Sequence, residues 1–207
     1  MTRVKICGVT TVTDAVACVD LGADAVGVIL VPSSRRCVDV ATAQAIVRAV
    51  DARGAKALVV AVVAGLSVDA MRALREATGV GCLQLHGDEP AGEVEALLPH
   101  AYKAVRVATA DDVAVAAAMP GEFVLVDAKS DEGFGGTGRV FDWSLVAELA
   151  KRRRLVLAGG LSPENVGEAI AAVHPFCVDV ASGVESAPRV KDLARVKALV
   201  DRAHAAG

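Results

Sequence analysis

Aromatic residues are scarce: the 207 residues hold one Trp, one Tyr and four Phe, although 54% of the chain is hydrophobic. The core must then be built from Val, Ala and Leu, an α/β composition, and the length suffices for one sizeable core. Blocks of one charge are missing too. The formal net charge of −3 arises from interspersed acids and bases, which leaves no electrostatic footprint for nucleic acid or an anionic membrane. The one basic run, Lys151-Arg152-Arg153-Arg154, reads as a solvated helix end. No apolar run approaches the ~18 residues of a membrane span. The chain reaches its first strand without a charged n-region and apolar h-region, so a cytoplasmic protein is expected. Cysteine pairing is absent as well. Cys7, Cys18, Cys37, Cys82 and Cys177 are odd in number and widely spaced, which fits neither a zinc site nor a disulfide framework, and most of them read as small packing residues.

What is present is alternation. β-branched runs at 4–7, 25–31, 57–63, 81–85, 102–107, 123–127, 155–158 and 177–181 alternate with amphipathic stretches at about 11–21, 40–52, 67–78, 90–98, 109–118, 142–151, 163–173 and 189–204. Repeated βα units of this kind predict an α/β fold, a single-domain (β/α)₈ TIM barrel spanning 1–207. The competing doubly wound sheet would need a G-x-G-x-x-G turn after its first strand, which is lacking. A faint echo recurs at half-chain spacing. Ala64-Gly65-Leu66-Ser67 resembles Ala158-Gly159-Gly160-Leu161-Ser162, and His86-Gly87-Asp88-Glu89 resembles Ser182-Gly183-Val184-Glu185, as a duplicated half-barrel would.

In such a barrel, function gathers at the carboxyl ends of the strands. Cys7, Arg36, His86 and Asp127 all fall at or just after strand ends and would ring one mouth. Gly159-Gly160 leads into Ser162-Pro163, read as an N-cap with proline at the first helical position, and Ser182-Gly183 precedes another helical start. Such turns let backbone N–H groups approach a phosphate. The matching turns of the first half, with Asp88-Glu89, look poorly made for a second one. Gly133, Gly135, Gly136 and Gly138 after Asp127 mark a candidate lid, and the absent Gly-Lys-Ser/Thr ending excludes a P-loop. Asp127 ends an apolar run, where partial desolvation would raise the proton affinity of its carboxyl as a general acid requires. Arg36 reads either as a fork for a substrate carboxylate or as a solvated loop residue. His86 alone reads as a packing residue more readily than as a catalyst.

Six ordered motifs then make a resemblance: KICGVT (5–10), QLHGDE (84–89), VDA (126–128), GFGGTGRVFDW (133–143), LAGGLSPENV (157–166) and VDVASGVES (178–186). Together they resemble the phosphoribosylanthranilate isomerases of tryptophan biosynthesis over essentially the whole chain. The resemblance implies a barrel that needs no metal or organic cofactor. Its reaction converts N-(5'-phosphoribosyl)anthranilate to 1-(2-carboxyphenylamino)-1-deoxyribulose 5-phosphate. Carried over motif by motif, it makes Cys7 the general base and Asp127 the general acid. It sets Arg36 against the anthranilate carboxylate, His86 and Asp179 near the substrate, and Gly160 and Gly183 at the phosphate. The implied partner is a small phosphorylated substrate, with no nucleic acid and no membrane; a monomer is favoured, the oligomeric state staying open. The family's usual Ser-Pro-Arg-Tyr reads Ser34-Arg35-Arg36-Cys37 here, Ala61-Val62-Val63-Ala64 lacks the usual aromatic and amide, and Ala181 stands where serine is common.

Two alternatives remain at this stage. One is the histidine-pathway aminoaldose isomerase, or an enzyme serving both pathways, which would use aspartates at the ends of strands one and five and two phosphate sites. Here those ends read Cys7 and Val105-Arg106-Val107. The other is a non-catalytic barrel that binds a phosphoribosyl ligand. One feature of KICGVT also asks for a physical account: strand alternation puts Lys5 inside the barrel, one layer below Cys7. A buried ammonium needs a partner. Closure would make strand eight the neighbour of strand one, so Lys5 is expected to pair with Asp179 and to favour the Cys7 thiolate from below.

Overall fold

The computed structural model describes residues 1–54, 57–127 and 143–207. Within them β1 (Arg3–Cys7), β2 (Ala25–Ile29), β3 (Leu58–Val63), β4 (Cys82–Leu85), β5 (Ala101–Arg106), β6 (Phe123–Asp127), β7 (Arg154–Ala158) and β8 (Cys177–Val180) run parallel and close on themselves, each beside the next and β8 beside β1. The helices are α1 (Val12–Asp20), α2 (Val40–Asp51), α3 (Val68–Thr78), α4 (Ala91–Leu97), α5 (Ala110–Ala118), α6 (Ser144–Ala150), α7 (Val166–Val173) and α8 (Leu193–Ala206). The expected (β/α)₈ TIM barrel is the fold.

Strand alternation divides the core in two. Outward residues such as Val4, Ile6, Val26, Val28, Leu83, Leu85, Leu155 and Leu157 meet the helices in one continuous shell, where each fully buried aliphatic side chain contributes roughly 1.5–3 kcal/mol. Inward residues Val60, Tyr102, Ala104, Leu125, Val156, Ala158 and Cys177 fill the barrel. Helix starts are fixed by side chains that accept orphan N–H groups: Thr11 from Asp14, Ser67 from Ala70, and Thr109 with Asp112 as a reciprocal box.

Four local expectations need correction. β2 stops at Ile29, because Val31 opens a turn that closes through Ser34 N–H to Val31 O at 2.9 Å. Regular α7 begins at Val166 rather than 163, since Asn165 folds back, its Oδ1 accepting the Ser162 N–H and its Nδ2 donating to Gly160 O. Residues 190–191 are not helical: β9 (Glu185–Ala187) and β10 (Val190–Lys191) pair antiparallel, and Asp192 then caps α8 through Ala194 and Arg195 N–H. The basic run is more than a solvated end. Arg153 donates to the carbonyls of Ala117, Met119 and Gly121, closing the end of α5, while the Arg154 guanidinium lies over Phe123 and Phe176.

Candidate active site

β1 sends Lys5 and Cys7 into the barrel, and closure sets Lys5 level with Asp179 on β8. Lys5 Nζ donates to Asp179 Oδ2 at 2.7 Å, with the two side chains 3% and 5% exposed. The pair expected from alternation and closure is therefore present. Burial works against the ammonium, but Asp179 outweighs it and the Lys5 pKa lies well above its ordinary value. Asp179 Oδ1, also buried, has no partner among the described residues.

Cys7 ends the strand just above this pair. Burial pushes its thiol up, Lys5 pulls it down, and the net position is above the ordinary thiol value, so the resting group holds its proton at neutral pH. The cation below moderates the cost of the thiolate without overturning it. Room for the sulfur comes from the neighbouring strand. Gly27 pairs with Cys7, and a Cβ there would lie 2.8 Å from Sγ and 3.2 Å from Lys5 Cε.

Gln84 links the pair to the rim. Its Oε1 accepts from Lys5 Nζ at 2.8 Å and from Tyr102 OH at 3.0 Å. An ammonium only donates, so the amide orientation is fixed and Nε2 must face His86 Nδ1, 3.0 Å away. That makes Nδ1 the acceptor and leaves the ring proton on Nε2, which points towards Asp127 Oδ2 at 3.7 Å. Burial lowers the His86 pKa, against the pull of Asp127, and the imidazole is neutral. His86 is thus no packing residue. Asp127 closes β6 with its side chain 19% exposed.

Arg36 is the site residue whose partner differs most from expectation. Its Nε and Nη2 donate to Glu185 Oε1 and Oε2 at 2.7 and 2.5 Å, so one edge of the fork expected to meet a substrate carboxylate is already engaged. The side chain crosses Gly8, where φ is +72° and a Cβ would meet Arg36 Cδ at 2.5 Å. Glu185 also accepts from the buried Lys191 at 3.1 Å.

The glycine turns stand opposite. Gly160 adopts φ +65°, and a Cβ at Gly183 would lie 1.9 Å from Leu161 O, so the turns after β7 and β8 pack backbone against backbone. Among the described residues the amides of Gly160 and Gly183 donate to no protein acceptor.

These groups converge. One cavity of about 270 Å³ at the carboxyl ends of the strands is lined by Cys7, Arg36, His86, Asp127, Asp179 and both glycine turns. Of the residues nominated from sequence, only Lys5 lies beneath it rather than on its wall. A separate cavity of about 180 Å³ opens at the other end of the barrel, between Arg3, Tyr102, Arg154 and Phe176, and has none of these groups but Lys5. The lid expectation for Gly133, Gly135, Gly136 and Gly138 lies outside the described residues. Among the described residues no cluster of His, Cys, Asp and Glu is arranged to hold a metal.

Sequence reasoning missed Gln84, Tyr102, Gly27 and Glu185. Gln84 carried a signal, being a polar residue within an apolar strand at an inward position. The others had none of that kind: a strand glycine, the lone tyrosine and one acid among many.

Comparisons with known proteins identify the family. The family model described as N-(5'-phosphoribosyl)anthranilate (PRA) isomerase matches residues 4–202. An N-(5'-phosphoribosyl)anthranilate isomerase of Pseudomonas aeruginosa is 46% identical over 206 residues, covering 96% of this chain and 93% of the relative. The solved phosphoribosyl anthranilate isomerase of Thermotoga maritima superposes with a TM-score of 0.88 at 37% identity, covering 99% of this chain and all of that one. A phosphoribosyl anthranilate isomerase solved in complex with reduced 1-(o-carboxyphenylamino)-1-deoxyribulose 5-phosphate superposes at 0.86 with 35% identity, again over 99% of this chain and 100% of the other. With a thiol, a carboxyl and two bare glycine turns facing one another across the mouth of a closed barrel, and with relatives matched from end to end, this chain belongs to the N-(5'-phosphoribosyl)anthranilate isomerase family.

Proposed function

We propose that the chain isomerises N-(5'-phosphoribosyl)anthranilate to 1-(2-carboxyphenylamino)-1-deoxyribulose 5-phosphate, with Asp127 as general acid and Cys7 as general base. The observation that carries this reading is the shared cavity: Cys7 and Asp127 line it together with the unengaged amides of Gly160 and Gly183. Those amides suit the 5'-phosphate, which glycine turns after the last strands of a barrel commonly bind. The anthranilate carboxylate falls to the guanidinium edge of Arg36 that Glu185 leaves open, and the unpartnered Asp179 Oδ1 suits a ribose hydroxyl.

The chemistry then runs in three steps. Asp127 gives its proton to the furanose ring oxygen; the C1'–O bond breaks, and the anthranilate nitrogen supplies the electron pair for a Schiff base. Cys7, in the thiolate form that its resting thiol reaches by releasing a proton to solvent, removes the proton from C2', whose electrons form the C1'=C2' bond and neutralise the nitrogen. The resulting enolamine tautomerises, losing its hydroxyl proton and gaining one at C1', to give the ketone. One proton has entered from Asp127 and one has left to Cys7, and exchange through solvent returns the thiol's proton to the carboxylate. Lys5 favours the thiolate, and the neutral His86 ring faces Asp127 through its Nε2–H. The reading takes 1–207 as one barrel domain, working in the cytoplasm on a small phosphorylated molecule.

The test is turnover. Substrate generated in situ from anthranilate should lose its fluorescence over time in the presence of the purified protein. A folded sample without turnover would sink the enzyme reading.

A further inference from the structure

The half-chain echo has a structural counterpart that the reaction above does not use. Gly65 is the second residue after β3 and Gly160 the second after β7, and both hold nearly the same left-handed backbone, φ +68° and +65°. Gly87 follows β4 much as Gly183 follows β8, and a Cβ on Gly87 would come 3.1 Å from Gly65 N. Each half of the barrel therefore packs the turn of its fourth strand against the turn of its third. The two cradles differ in what the amides meet. In the second half Glu185 is drawn off by Arg36 and Lys191, and the amides of Gly160 and Gly183 meet no protein acceptor among the described residues. In the first half Glu89, at the position equivalent to Glu185, turns inward. Its Oε1 accepts the Gly65 N–H at 3.0 Å, its Oε2 accepts the Gly87 N–H at 2.9 Å, and Lys103 Nζ completes the shell at 3.2 Å.

We infer that Glu89 is a built-in anion that occupies the first half's phosphate cradle and so restricts the barrel to substrates with one phosphoryl group. Two amides and a buried ammonium are the donor set that a phosphate dianion takes, and here a carboxylate of the chain takes them first. The side chains of Glu89 and Lys103 are 2% and 6% exposed, so the occupant is sealed in. Burial works against the Glu89 charge, yet the Gly65 amide and Lys103 hold its pKa below the ordinary carboxylate value, as a resident anion requires. Asp88 beside it is exposed and screened by water. A substrate carrying a second phosphoryl group at its far end would have to displace Glu89 from both amides and from Lys103. This inference rests on the reading of Gly160 and Gly183 as the phosphate turns.

Inorganic phosphate is the probe, titrated by calorimetry at constant ionic strength into the full chain. The wild type should bind one equivalent and Glu89→Ala two, the second abolished in Glu89→Ala/Lys103→Met. Because Glu89→Ala leaves the buried Lys103 ammonium with backbone acceptors but no counter-ion, the variant's Tm should also rise with phosphate by more than that of the wild type. A folded Glu89→Ala protein with the stoichiometry of the wild type overturns the inference. So does a Glu89→Ala chain that stays unfolded in saturating phosphate while the double variant folds. If the wild type itself binds none, the phosphate-turn reading fails, and the difference between wild type and Glu89→Ala still decides the role of Glu89.

Discussion

Replacing Lys5 with Met tests the barrel's polar centre. Methionine keeps the length of the stem but removes the ammonium that holds Asp179 at 2.7 Å and Gln84 at 2.8 Å. Since Asp179 Oδ1 has no partner among the described residues, the substitution leaves the whole carboxylate buried without one. Breaking a buried pair from one side typically costs about 3–5 kcal/mol, and urea unfolding at pH 7 should show a loss of that size. Lys5→Met/Asp179→Leu removes both charges and should recover most of the loss. Alkylation of Cys7 by iodoacetamide supplies the second readout. It should slow in both variants, because the cation that favours the thiolate is gone. A single variant within about 1 kcal/mol of wild type, set against that expected cost, would refute the reasoning. A double variant no more stable than the single would do the same.

Two further outcomes follow from the site. Cys7 alkylation, followed by mass spectrometry of its own peptide, should climb with pH to a midpoint above that of an ordinary thiol, because burial raises the thiol; a plateau already reached near neutrality would contradict the assigned environment. Gly27→Ala should keep the fold but move Cys7, since the added Cβ would lie 2.8 Å from Sγ. Turnover should fall by on the order of 10²-fold for a displacement near 1 Å, whereas Gly92→Ala in α4, where a Cβ meets nothing within 4 Å, should be fully active.

The barrel was legible because its signals are local and repeated. β-branched runs, capping residues and short connections recur through the chain, and the eight expected strands fall within two residues of those in the structure. The Lys5–Asp179 pair was legible for a related reason, as alternation and closure together fix which inward positions face each other. What escaped depends on side chains choosing between partners. Nothing in the local pattern around Arg36 says that Glu185, 149 residues away, takes its fork. The contrast between Glu89 and Glu185 is likewise invisible in two similar tetrapeptides, because it is set by an arginine on another strand's loop. The start of α8 was misread because Val190 and Lys191 suit an amphipathic helix, while pairing with Glu185–Ala187 holds them extended.

The central claim is that one thiol and one carboxyl at the mouth of this barrel move the two protons of the isomerisation. Turnover of in situ generated N-(5'-phosphoribosyl)anthranilate by Cys7→Ser and by Asp127→Asn tests it directly. Each variant should unfold at the wild-type urea midpoint and lose about 10²–10⁴-fold in kcat/KM; wild-type turnover by either would contradict the account.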